Sequence, residues 1–217
     1  MKINKELKLY SHLLVAACLS LSTPCYAQFG GLSKSIPGLG GGGKVGVDVG
    51  ALSTDLFGKF SPAAQDLADA AQLYREALDL KIRDNKAGAE KNNQSAVAID
   101  NMEFVNEVSK EVSKAAKNPD KLNMSPEQKE KLKQAHTKLL SGGGKFVVVA
   151  APTALAIKEV TDKDPSALLG HPELIKLAAS CAKDGTTLLS LLNDSRKLCK
   201  AKSIEVSAEG DFTPPKN

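Results

Sequence analysis

The chain has 217 residues, a formal charge of +4, 42% hydrophobic and 4% aromatic residues, and no Trp. That length can bury a sizeable core within one domain. Near-neutrality and scarce aromatics exclude the basic footprint of a nucleic-acid binder and argue against the stacking platforms that bases or sugars need.

Residues 1–27 read as a cleaved secretory signal peptide. Lys2, Lys5 and Lys8 against Glu6 form a basic start, and Leu13 to Ser22 form an apolar stretch. Pro24 breaks it, and the small residues Cys25 and Ala27 place a cut between Ala27 and Gln28. The apolar stretch is shorter than the roughly 20 residues that span a bilayer. Val15-Ala16-Ala17-Cys18 also resembles a bacterial lipobox, in which Cys18 would carry the acyl chains. Both patterns resemble bacterial export signals, and both put the mature chain outside the cytoplasm, periplasmic or secreted. Cutting after Ala27 leaves 190 residues with a formal charge of +2.

Residues 28–47 are a Gly-rich arm whose backbone entropy disfavours packing. Gly38, Gly40 and Gly43 spell G-x-G-x-x-G, and Gly38 to Lys44 spell most of a P-loop. Val45 stands where that loop needs Ser or Thr to hold magnesium, and neither motif follows a convincing strand. The arm is therefore read as a linker, and no cofactor is predicted.

Residues 48–202 read as a bundle of five or six amphipathic helices, an all-α fold. Asp48 caps a short helix through Phe60, and Ser61-Pro62 restarts the chain. Leu67, Ala71, Tyr74, Leu78 and Ile82 then form one stripe. A second helix runs from about Ala87 to Lys117 on Phe104, Val105, Val108, Val112 and Ala115, and ends at Asn118-Pro119. Ser125-Pro126-Glu127-Gln128 is a capping box that starts a third. Its inward residues are Leu132, Ala135, Leu139 and Leu140, and Gly142-Gly143-Gly144 is its expected stop. Phe146 to Ile157 is the most apolar stretch of the mature chain and reads as a buried core helix, with a strand over FVVVA as the competing reading. Asp164-Pro165 and His171-Pro172 are further starts, and from Pro172 the pattern is helical to about Lys200. Residues 203–217 are a loose tail. The alternating runs at 45–49 and 204–208 are the parts of a minor two-stranded ribbon.

Chemistry is hard to find in this pattern. The mature chain has two His, His136 and His171, and two Cys, Cys181 and Cys199. No C-x-x-C, H-E-x-x-H or G-x-S-x-G spacing occurs, and the carboxylates are scattered over solvated faces. No catalytic, cofactor or metal residues are assigned. Cys181 and Cys199 can form a disulfide only if the chain folds back at Asp184-Gly185-Thr186-Thr187. Otherwise they are separate thiols, about 27 Å apart along one helix.

The expected function is binding or scaffolding by an exported helical protein with a protein partner in the envelope. One alternative is a membrane-active or lipid-anchored envelope protein, drawing on segment 146–157, the Gly-rich arm and the basic cluster Arg196, Lys197, Lys200 and Lys202. The other is an extracytoplasmic enzyme with an unrecognised site.

Overall fold

The structure, a computed structural model, describes residues 48–85 and 94–206. Several expectations lie outside these residues: the signal peptide with its Ala27–Gln28 cut, Cys18, the Gly-rich arm, the first turns of the second helix and the tail from residue 207. The described part is all-helical. It has four α-helices and no strand: α1 (Val49–Ala77), α2 (Gln94–Lys117), α3 (Pro126–Lys163) and α4 (Pro172–Ala201). Of the two ribbon runs, Val49 lies in α1, and residues 204–206 are not in a strand.

Four helices replace the expected five or six because two local stop signals are overridden by burial. Pro62 lies inside α1. A proline removes one backbone donor, and the carbonyl four residues earlier loses its partner. That residue is Gly58, which is exposed to water like Pro62 itself. On either side, Phe57, Phe60, Ala63 and Ala64 are buried, and their burial holds the helix through the defect. Ser61 does not cap a new helix, since its buried Oγ makes no hydrogen bond. The second stop, Gly142-Gly143-Gly144, is buried and helical within α3. Helical glycine costs about 1 kcal/mol relative to alanine, and the buried Leu139, Phe146 and Ala150 offset it. Gly185, where the chain would have to fold back to pair Cys181 with Cys199, is buried inside an uninterrupted α4.

Other starts hold, while α1 stops at Ala77, short of Leu78 and Ile82, the last residues of its expected stripe. Asp48 Oδ1 accepts from the backbone N–H of Ala51 at 2.9 Å. The capping box is reciprocal: Gln128 N–H donates to Ser125 Oγ at 3.2 Å, and Ser125 N–H donates to Gln128 Oε1 at 2.9 Å. Asp164 caps the 3-10 turn Pro165–Leu168. Its carboxyl is held below the usual range, first by Ser166 Oγ and then by the N–H groups it caps, against a smaller opposing effect of burial. Two ends carry residues in the left-handed region. Asp79 (φ 48°) follows α1 and Ser203 (φ 54°) follows α4. At each, a backbone N–H reaches the carbonyl five residues back, Leu80 to Arg75 and Ile204 to Cys199, both at 2.9 Å. That is a Schellman closure built without glycine.

The chain divides into two compact units. The first comprises the residues up to Lys59 and Val148–Lys183; the second comprises Phe60–Val147 and the residues from Asp184 on. In the first unit, Leu52, Leu56, Phe57, Ala154, Ile157, Val160, Leu168, Leu174, Leu177 and Cys181 are buried. In the second, helical segments from α1, α2, α3 and α4 enclose Phe60, Leu67, Tyr74, Phe104, Val108, Leu132, Leu139, Leu188, Leu191 and Leu198. Phe60 and Phe146 meet edge to face at 5.7 Å between ring centres, a favoured aromatic geometry.

Segment 146–157 is helical, which removes the strand reading. It is not buried all round. Ala150, Thr153, Ala154, Ala156 and Ile157 are buried, whereas Leu155 is 47% exposed. Val148, Ala151 and Pro152 are half-buried. Positions 148, 151, 152 and 155 recur at helical spacing, so they form a second apolar face beside the buried one. The expectation that Leu155 is a core residue is corrected accordingly.

Candidate functional site

The most concentrated chemistry is in the second unit, where three helices converge on one hydroxyl. Tyr74 projects from the stripe of α1, His136 from α3 beside Ala135, and Ser195 from α4 between Leu192 and Cys199. Tyr74 Oη donates to Ser195 Oγ at 2.6 Å. His136 Nδ1 lies 2.9 Å from the same oxygen. The Cys199 thiol also interacts with Ser195, one helical turn away on α4. A serine hydroxyl has one hydrogen and two lone pairs. Tyr74 occupies one lone pair of Ser195 Oγ, so the serine's hydrogen and its other lone pair face His136 Nδ1 and Cys199. The other ring nitrogen, Nε2, is buried and makes no hydrogen bond.

Burial sets the electrostatics. Tyr74 and Ser195 are 0% exposed and His136 is 1% exposed. Burial drives the Tyr74 phenol far above its usual range; Ser195 partly counters this. Burial also pushes the Cys199 thiol up to about 11, again opposed by Ser195. His136 is held below the ordinary histidine value, first by burial and then by the Arg196 charge. A serine nucleophile needs a histidine base, an orienting acid and access for a substrate. Ser195 has the histidine but no surface exposure, and the charged neighbour of the ring is a cation.

A second Ser–His–carboxylate grouping lies in the first unit, at the start of α4. Glu173 Oε1 accepts from Ser53 Oγ at 3.3 Å and lies 3.0 Å from His171 Nδ1. Burial alone would raise the Glu173 pKa. Its own backbone N–H, His171 and Ser53 outweigh that and hold the carboxyl low. The order is wrong for nucleophile activation, because the acid stands between serine and histidine. The arrangement ties α1 to the start of α4 and gives His171 a place in that turn.

Two further polar links join helices of the second unit. Asn106 Nδ2 of α2 donates to the buried Asp184 of α4 at 2.8 Å. The buried Asn101 of α2 donates to Gln65 Oε1 of α1 at 3.2 Å and accepts from Asn85 Nδ2 at 3.0 Å. In the basic cluster, Lys197 pairs with Asp194, and Lys202 Nζ donates to the Leu122 carbonyl at 2.7 Å.

Cys181 and Cys199 are buried thiols with no disulfide. The fold-back that pairing requires is missing, since α4 runs unbroken between them. Among the described residues, no three His, Cys, Asp or Glu side chains gather as metal ligands. Sequence reading missed Ser195 and did not count His136 among the inward residues of its helix. The serine's i−3 and i+3 neighbours, Leu192 and Leu198, were the available signal that it faces inward.

No family model matches the chain, and no curated protein or solved structure is significantly similar to it.

Proposed function

We propose that this chain is an exported helical-bundle protein that acts by binding a protein partner in the cell envelope. The observation that carries the reading is the apolar surface of the first unit. Among the described residues, the three large exposed hydrophobic side chains, Leu155 (47%), Leu169 (70%) and Ile175 (36%), belong to that unit. Isolated exposed leucines are ordinary. Here Leu155 extends a half-buried stripe of Val148, Ala151 and Pro152, and such exposed apolar faces suit protein partners. The sealing of the Ser195 cluster favours binding over catalysis. The signal-like order of residues 1–27 supports export. The test is site-specific photo-crosslinking in cells. A crosslinker at Leu155 or Leu169 should capture one discrete partner, and one at the exposed Lys133 should not. Equal labelling at all three sites would sink the reading.

A second reading, membrane attachment, draws on α3. It is long and apolar enough to cross a bilayer by length and composition, and half of its most apolar window is buried. Cell fractionation separates the two. Release by high salt or osmotic shock supports protein binding; release by detergent alone supports the membrane.

A further inference from the structure

We propose that one end of the second unit is a docking surface for the anionic headgroups of a lipid bilayer, held by exposed lysines. Lys131 Nζ lies 3.1 Å from Glu76, which ties the start of α3 to the last turn of α1. Lys202 Nζ donates to the Leu122 carbonyl at 2.7 Å, which ties the end of α4 to the link between α2 and α3. The C-termini of α1, α2 and α4 therefore gather around the N-terminus of α3.

Positive charge is concentrated there. Residues 110–133 and 194–206 hold eleven Lys and Arg against six Asp and Glu, an excess of five, whereas the whole chain has an excess of four. Residues 74–85, at the end of α1, add three of each sign. Cations at helix C-termini also answer the macrodipole, at about half a charge per helix end. Three C-termini and one N-terminus account for about one charge in total, so roughly four remain. Lys117, Lys121 and Lys200 stand at the end of α2, in the turn after it and at the end of α4. They are exposed and form no ion pair among the described residues. Lys114 and Lys197 pair within their own helices but stay 69% and 64% exposed.

The kind of anion follows from what accompanies the lysines. A lysine is a hydrated point charge on a flexible stem, suited to diffuse attraction rather than to a fixed two-pronged contact. Arg75 and Arg83, whose forks would give such contacts, are engaged by Asp84 and Glu107. Protein interfaces are anchored by aromatic or arginine hot spots, and single-stranded nucleic acid needs stacking rings. Every aromatic ring among the described residues is buried, and the large exposed hydrophobic side chains belong to the first unit. An anionic bilayer surface asks for neither. It attracts clustered lysines, each strengthening binding about fivefold. The contact needs nothing from the apolar face of the first unit.

Co-sedimentation of the full chain with pure lipid vesicles tests the surface in the absence of any protein partner. At about 0.1 M salt the chain should sediment with phosphatidylcholine vesicles that contain phosphatidylglycerol, and stay in solution with phosphatidylcholine alone. Raising the salt to about 0.5 M should release it. Lys117→Gln, Lys121→Gln and Lys200→Gln together should weaken binding on the order of a hundredfold, with a native melt because all three positions are exposed. Lys59→Gln, Lys158→Gln and Lys163→Gln together remove the same charge from the first unit and should weaken it by less than about tenfold. No sedimentation with the anionic vesicles overturns the proposal, as does equal binding to both vesicles or binding that survives the salt. A folded Lys117/Lys121/Lys200 variant with native binding overturns it too. A first-unit variant just as weak would make net charge the cause, and retention of duplex DNA without retention by vesicles would make the partner a polynucleotide; either refutes it. If the Lys117/Lys121/Lys200 variant does not fold, the vesicle and salt comparisons on the native chain decide.

Discussion

Gly142 of α3 and Leu67 of α1 approach so closely that even a β-carbon at position 142 would crowd α1. A β-carbon on Gly142 would lie 3.0 Å from both the Leu67 Cγ and the Leu67 backbone nitrogen, and 3.1 Å from Asp66 Cβ. Lys145, one turn on, pairs with Asp66 at 2.5 Å, which fixes the same crossing from its exposed side. Gly142→Ala should therefore destabilise the protein by about 1–3 kcal/mol, as overpacking does, despite alanine's better helix propensity. Gly58→Ala is the control. Nothing lies within 4 Å of its added β-carbon, so it should gain up to about 1 kcal/mol. Paired denaturant titrations read both, and a stabilised Gly142→Ala would disprove the close crossing.

The Ser195 cluster should behave as one unit. Tyr74→Phe removes one donor and should cost about 1 kcal/mol. Ser195→Ala leaves a phenol and an imidazole without their shared partner and should cost about 2–4 kcal/mol, since each buried unsatisfied group carries roughly 1–3. The double variant should cost less than the sum of the single ones, because the phenol stranded by Ser195→Ala is then gone. Strict additivity in a double-mutant cycle would mean the hydrogen bond of 2.6 Å contributes nothing.

The two apolar faces of α3 make opposite predictions. Ile157 is 4% exposed, so Ile157→Asp should unfold the protein or leave it marginal, at a cost of several kcal/mol. Leu155→Asp places its charge in water and should shift stability by about half a kcal/mol or less. It should, however, abolish partner capture, or liposome binding if the membrane reading holds. Thermal melts and co-sedimentation on both variants give the comparison, and an unfolded Leu155→Asp would return that residue to the core.

Ser203 closes α4 in a left-handed conformation that costs a side chain about 1–2 kcal/mol. Ser203→Gly should recover part of this, roughly 0.5–1 kcal/mol. A lower melting temperature would contradict the strain.

If the chain is exported as proposed, mass spectrometry of the mature protein should find Gln28 at its N-terminus. An acylated peptide beginning at Cys18 would assign it to the lipoproteins instead.

What the sequence disclosed was local, and what it hid was long-range. The box at Ser125 and Gln128 is legible because both partners lie three residues apart and need no other part of the chain. Leu132, Leu139, Leu174, Leu177 and Leu191 were legible because burial follows helical period. Gly142 misled because the same residue type ends a helix or admits a neighbouring one, and only Leu67, remote in sequence, decides between them. Pro62 misled for a similar reason: its local penalty is fixed, but the gain from burying Phe57 and Phe60 depends on distant partners. Tyr74 and Ser195 are 121 positions apart, so no spacing rule could join them. Leu155 looked like core because composition reports that a stretch is apolar, not which of its faces is covered.

Burying Tyr74 also gives the molecule an optical property. The chain has no Trp and three Tyr, two of which, Tyr10 and Tyr26, precede Gln28. In a protein beginning at Gln28, all tyrosine emission and phenol absorbance therefore come from one ring, immobilised against Ser195. Its spectrum reports the second unit alone, without any label. Tyrosinate absorbance should remain absent in alkali until that unit opens, so the onset of ionisation is itself an unfolding signal native to the chain.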